Sequence, residues 1–192
     1  VIDCEIINHD KSEHKEKIAA ENNQETFGNL SSLLKCFEVA KKDQSDLIYF
    51  VEDDYLHYEH SLVDMLNTYE RVSSQHKDEI IVCPSDYPFN YMNNEKTNIL
   101  IGSQQHWRTI TKMLCTFMIS KKMFQKHIDN FEKTCEKRHE PFEKHLNKIL
   151  ESEIGISPIK SLAIHMTNVN SSYGLSPFID IKKLWEENKI GE

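Results

Sequence analysis

The chain has 192 residues, 39% of them hydrophobic and 28% charged, with a formal net charge of −8. A domain of this length buries about 70% of its unfolded surface, so folding needs no disulfide or metal staple, and the aromatic content excludes a disordered chain. An acidic balance of 31 carboxylates against 23 Lys and Arg argues against nucleic-acid binding, and no apolar run reaches the ~20 residues of a membrane span.

Residues 1–8 are rich in isoleucine and are predicted as a short strand, followed by a polar, partly helical stretch over 9–24. Leu30, Leu33, Leu34, Phe37 and Ala40 then share one helical face. The run Leu47-Ile48-Tyr49-Phe50-Val51 is continuous and bounded by Asp46 and Glu52, the pattern of a strand buried on both faces of a parallel sheet. Leu62, Met65, Leu66, Tyr69 and Val72 have helical spacing, and residues 80–83 form the next strand. This alternation of strand and helix predicts an α/β domain.

The second half is less regular. Residues 84–98 read as a long loop, 99–101 and 115–120 as strands, and His106-Trp107-Arg108 as a turn region between them. Helices are expected over 121–134 and 141–151, a last strand over 159–164, and a short helix over 180–188 capped by Asp180. No repeat or linker interrupts the chain, which reads as one domain over 1–192. Five widely spaced cysteines without a CxxC pair predict reduced thiols and a cytoplasmic setting. Two sequons, Asn29-Leu30-Ser31 and Asn170-Ser171-Ser172, are matches of a kind that arises readily by chance.

The chemically informative feature is Glu52-Asp53-Asp54, directly after the apolar run 47–51. Ligands of open α/β sheets bind beyond the carboxyl ends of the strands. Three adjacent carboxylates there repel one another, and a divalent cation carrying a phosphate relieves the repulsion. Alternation along an extended segment sends Glu52 and Asp54 to one side and Asp53 to the other. The plain alternative is a solvated strand end with Asp54 capping the next helix.

The phrase DLIYFVEDDYLH (residues 46–57) resembles the nucleotide-sugar-dependent glycosyltransferases of the GT-A fold, with Glu52-Asp53-Asp54 in the place of their DXD metal motif. GNLSSLLKCFEVAKK (28–42) is similar to the helix beneath that strand, and His165 resembles a late histidine that ligates metal in some members. The resemblance implies a GT-A-like, Rossmann-related mixed sheet flanked by helices and lacking the first strand, in a chain that is incomplete at its N-terminus. It further implies a hexosyl transfer from a nucleoside-diphosphate sugar to a glycan, lipid or protein acceptor, with Mn2+ or Mg2+ as cofactor. By this resemblance Asp54, Glu52 and His165 would serve the metal, while Glu52 also reaches the ribose, Asp53 orients the donor and Asp3 contacts the base.

Tyr173, in Tyr173-Gly174-Leu175-Ser176-Pro177, is a candidate for a flap over the diphosphate; a plain turn is the other reading. For the general base of an inverting transfer, Glu140 is the first candidate and Asp86 the second. Arg108 is a candidate diphosphate contact beside Trp107, which reads equally well as an acceptor platform or as core. The same carboxylates would also suit a metal-dependent phosphohydrolase or nucleotidyltransferase, or a non-catalytic binding remnant. Stereochemistry, donor sugar, acceptor and oligomeric state are open at this level.

Overall fold

A computed structural model describes residues 5–18, 22–92, 94–166 and 179–189. Eight strands form two sheets: β1 Leu47–Phe50, β2 Tyr55–His57, β3 Ile80–Val82, β4 Ile99–Ile101, β5 His106–Ile110, β6 Phe117–Ser120, β7 Ile154–Pro158 and β8 Ala163–His165. The helices are α1 Gln24–Lys42, α2 Ser61–His76, α3 Lys121–Lys126, α4 Ile128–Thr134, α5 Lys144–Ile149 and α6 Ile181–Glu187. Short 3-10 turns cover Lys11–His14 and Pro88–Tyr91.

The main sheet has the order β1-β6-β3-β7-β5-β4, and β2 pairs with β8 in a separate ribbon. Only β3 and β7 run parallel; the other pairs are antiparallel. The domain is therefore α/β with a mixed sheet flanked by helices, as expected, although the neighbour of the run 47–51 is antiparallel rather than parallel. β1 also departs from expectation. It is an edge strand, half-buried along most of its length, and Val51 beyond it is 51% exposed.

Period-two alternation divides the sheet between two cores. Ile81, Phe117 and Ile119 face α1 and α3–α5, where Phe37, Phe50, Phe117, Phe124 and Phe131 pack with neighbouring ring centroids as close as 4.8 Å. Ile80, Val82, Met118 and Ile156 face α2 and pack with Met65, Val72 and Trp107. Helix α1 starts cleanly because the Asn23 side chain accepts from the backbone N–H groups of Glu25 and Thr26, both at 3.0 Å. On α2 the buried stripe is Met65, Thr68 and Val72, while Leu62 and Leu66 of the predicted face are exposed.

Other expectations change in detail. Residues 5–8 of the predicted first strand have no regular structure. His106-Trp107-Arg108 opens β5 rather than a turn, and both Trp107 and Arg108 are buried, which hides the strand's alternation. The helix expected over 121–134 breaks at His127, whose backbone leaves the helical region and whose Nε2 meets Glu153 Oε1 at 2.6 Å. The last predicted strand, 159–164, forms only at its end as β8, and β7 precedes it unpredicted. β7 escapes the sequence pattern because Gly155 sits in its middle, against the Leu150 side chain and Ile110. Among the described residues, no helix is long and apolar enough to cross a membrane. Ser31 of the first sequon is fully buried and holds the ring nitrogens of His9 and His14, while Asn170-Ser171-Ser172 lies outside the described residues.

The turn between β4 and β5 is packed to its limit at Gly102. A Cβ there would stand 2.2 Å from the Trp107 ring and 2.8 Å from Thr68 Oγ1. Gly102→Ala is therefore expected to destabilise the fold by about 1–3 kcal/mol, the usual cost of overpacking. Urea unfolding checks this; a variant with the parental midpoint would show that the turn yields.

Candidate functional site

Where the chain leaves the main sheet after β1, it must cross to the β2–β8 ribbon, and Glu52-Asp53-Asp54 is the crossing. The Glu52 backbone N–H donates to Thr116 Oγ1 at 3.0 Å, which fixes the start of the motif to the approach of β6. Thr116 Oγ1 in turn donates to Glu52 Oε2 at 3.4 Å. Asp53 is exposed, while Glu52 and Asp54 are partly buried, the split that alternation predicts.

The ribbon then brings the two halves of the chain together. Tyr55 pairs with His165, Leu56 with Ile164 and His57 with Ala163. Just beyond this register, the Met166 N–H donates to the Asp54 carbonyl at 2.8 Å. His165 Nε2 consequently meets Asp54 Oδ2 at 2.8 Å. The imidazole lies nearly flat on the Tyr55 ring, 4.8 Å between centroids and 16° between planes. Tyr55 is itself fixed by a buried hydroxyl–hydroxyl bond to Tyr87 at 2.5 Å, and Tyr87 stacks on Phe89. Burial pushes both phenols well above their ordinary range, so they act here as neutral hydrogen-bonding groups.

A cavity of about 540 Å3 opens between the N-terminal turn of α1, the segment preceding α5, and His165. Glu140, Glu143, Arg138 and His139 line it together with Thr26 and Asn29. Burial, reinforced by the like charges of Asp54, Glu143 and Asp53, pushes the Glu52 carboxyl up to about 7, against the opposing hydrogen bond from Thr116. Burial also raises Glu143, and Glu140 adds to the effect. The acidic triplet therefore lies within electrostatic reach of the cavity's acidic wall, through Glu143.

A divalent cation fits the carboxylate oxygens of Glu52 and Asp54 in its donor chemistry, while His165 turns Nε2 to Asp54 and leaves Nδ1, on the far side of the ring, buried without a partner among the described protein atoms. Among the described residues, no three His, Cys, Asp or Glu side chains are close enough to hold a metal unaided. A two-side-chain seat, completed by water and phosphate oxygens, is the usual arrangement for magnesium.

The other sequence candidates fall in three places. Glu140 lines the same cavity as His165. Asp3 and Tyr173 lie outside the described residues. Asp86 and Arg108 are spent on each other: Arg108 Nη2 donates to Asp86 Oδ1 at 2.5 Å, Tyr91 donates to Asp86 Oδ2, and the guanidinium lies 3.9 Å over the Tyr91 ring. Asp86 is 1% exposed and Arg108 7%. The pair is a structural cross-tie between the long loop and β5, which corrects the readings of Asp86 as a base and Arg108 as a diphosphate contact. Trp107 is core, fully buried.

Sequence reasoning passed over Thr116, Tyr55, Glu143 and Arg138. Thr116 carried a usable signal, a hydroxyl inside the otherwise apolar stretch 113–119. Tyr55 follows the acidic triplet directly. Glu143 and Arg138 join the site only through tertiary packing. No protein-family model matches the chain, and no curated protein matches its sequence.

Two outcomes are expected from these contacts. Glu52 is protonated in both states below about 4.5, but as pH rises toward 7 the unfolded chain releases the proton and the folded chain retains it. Its contribution therefore lowers stability progressively across that window and keeps it lowered above. Glu52→Gln removes the contribution, so thermal melts should show a variant more stable than the parent above neutrality, with the advantage shrinking toward acid; a constant difference at every pH would refute this. Asp86→Ala strands a buried guanidinium and should cost about 3–5 kcal/mol in denaturant unfolding. A loss under one would show that the cross-tie is dispensable.

Proposed function

We propose that the chain is a metal-dependent glycosyltransferase domain of GT-A type that uses a nucleoside-diphosphate sugar. The observation that supports it most is the 2.8 Å approach of His165 to Asp54, which places a late imidazole on the acidic triplet at the end of a strand. An isolated solvated strand end has no reason to recruit such a partner. Glu52 adds a second oxygen donor, held in place by Thr116.

In this reading the carboxylates of Glu52 and Asp54 would hold Mn2+ or Mg2+ together with phosphate and water oxygens, with His165 orienting Asp54, and the metal would supply neutralisation of the diphosphate and of the charge on the leaving group. The side chains do the remaining work. The Tyr55 ring sets the plane of His165, and Thr116 keeps the Glu52 carboxylate turned toward the crossing. Asp53, exposed beside them, is placed to meet donor hydroxyls. Arg138 contributes a cation at the cavity wall, suited to planar contact with phosphate oxygens.

Glu140 and Glu143 line the cavity opposite the ribbon, and either carboxylate can take a proton from an acceptor hydroxyl. Burial raises the proton affinity of Glu143, which suits that task.

Thermal melts with Mn2+ or Mg2+ and each of UDP, GDP and CDP test the proposal. A shift is expected with metal and one nucleotide together, and Asp54→Ala should abolish it. Absence of any shift in the parental chain would overturn the reading, as would a shift that Asp54→Ala leaves intact.

A further inference from the structure

A second cavity, of about 670 Å3, lies at the opposite end of the β2–β8 ribbon from Asp54 and His165. The ribbon register continues past His57 and Ala163 to the Tyr58 N–H, which donates to the Leu162 carbonyl at 3.0 Å, and these two residues form one wall. At a rise of about 3.3 Å per residue, the two sites are roughly 10–13 Å apart along the ribbon. The volume is that of a small-molecule site rather than a packing defect.

The polar groups of this cavity are held in place before any ligand arrives. Asp64 is 2% exposed, yet its carboxylate accepts from the Gln104 N–H and from Gln105 Nε2, each at 3.2 Å, and from Thr68 Oγ1 at 3.3 Å. Gln105 Oε1 accepts from the Lys160 N–H at 3.0 Å, so the carboxamide is pinned at both ends. Each end still has spare capacity, one N–H and one lone pair, and a carboxylate has about four acceptor sites. The half-buried Tyr58 supplies apolar surface beside these groups, and His60 adds an exposed imidazole at the rim.

Charge selects among ligands. Asp64 and Asp180 balance Lys160 and Lys183 around the cavity, which favours neither a phosphate nor an amine. Lys183 has Glu187 at 3.7 Å, and Asp180 accepts from the Lys183 N–H as the cap of α6, so these charges are partly matched already. What remains is a dense set of neutral donors and acceptors flanked by apolar faces. A hydroxyl both donates and accepts, and a sugar ring presents several hydroxyls around an apolar C–H face, so it can use the Gln105 carboxamide, which the buried Asp64 carboxylate holds in place, together with the Tyr58 face.

We propose that this cavity binds a neutral saccharide, and that under the transferase reading it seats the acceptor chain. The saccharide assignment stands on the cavity itself; the acceptor role rests on the proposed function. The ribbon then links the two sites as a common backbone, with His165 at one end and Leu162 at the other.

The test is amide shift mapping of the full chain, without metal or nucleotide, against lactose, chitobiose and maltotriose. Glycylglycine and inorganic phosphate serve as zwitterionic and anionic comparisons. At least one saccharide should shift the Gln104, Gln105 and Lys160 amides saturably in the millimolar range. Gln105→Leu should weaken that binding about tenfold, in proportion to the hydrogen bonds removed. His60→Ala, at an exposed rim position, provides a second variant that should weaken binding even if Gln105→Leu unfolds. Saccharides that leave these amides unmoved, or comparison ligands that move them instead, overturn the assignment. Asp54→Ala should erase the metal–nucleotide response and spare saccharide binding. Saccharide binding in a parental chain with no metal–nucleotide response would keep the site and remove the acceptor role.

Discussion

The pairing of β2 with β8 is the contact on which the site depends. Three residues from each half of the chain form the ladder, and nothing local in either segment brings it about. Without it, the acidic triplet is a solvated strand end and His165 an ordinary surface histidine. With it, an imidazole sits on Asp54, an aromatic ring sits beneath the imidazole, and two cavities are placed at the two ends of one short ribbon.

The electrostatics of the site follow from the same geometry. A carboxylate tolerates burial when donors or cations surround it, as they do at Asp86, where Arg108 and Tyr91 close on the group. Glu52 has a single hydroxyl and a set of like-charged neighbours. The contrast separates two buried acids that look alike in the sequence. Burial raises both carboxyls, but Asp86 is closed in by Arg108 and Tyr91 and ties a loop to the sheet, whereas Glu52 faces like-charged neighbours that add to the effect of burial. Perturbed acids of the second kind gather at functional sites because their cost is justified only by a ligand.

Much of the scaffold was legible in the amino-acid pattern, for reasons that can be traced residue by residue. α1 declared itself through the stripe from Leu30 to Ala40, α6 through the cap at Asp180, and β3 and β6 through their unbroken apolar runs. Strand direction was not legible, since the run at β1 is equally apolar whether its neighbour is parallel or antiparallel, and whether it lies at the centre or the margin of the sheet. β5 and β7 were hidden because Arg108, Ser157 and Gly155 break the hydrophobic signal while being buried by tertiary contacts. At the site, the triplet and His165 were visible as chemistry, but their meeting was a matter of register. Arg108 and Asp86 were visible as chemistry too, and register took them away from the pocket.

The bond from the Glu52 amide to Thr116 has an implication for how the molecule can move. The triplet is the crossing from the six-stranded sheet to the ribbon, held to the sheet by the Thr116 hydroxyl and to the ribbon by the first rung beyond it, and sheet and ribbon are further tied by Tyr49 to His57 and by the Leu162 N–H to the Pro84 carbonyl. A small rotation of the ribbon against the sheet would alter the spacing between Glu52 and Asp54 while leaving Asp54 and His165, which travel together, undisturbed. The acidic crossing thus resembles a caliper whose opening is restrained by the Thr116 tether together with the bonds that tie ribbon to sheet.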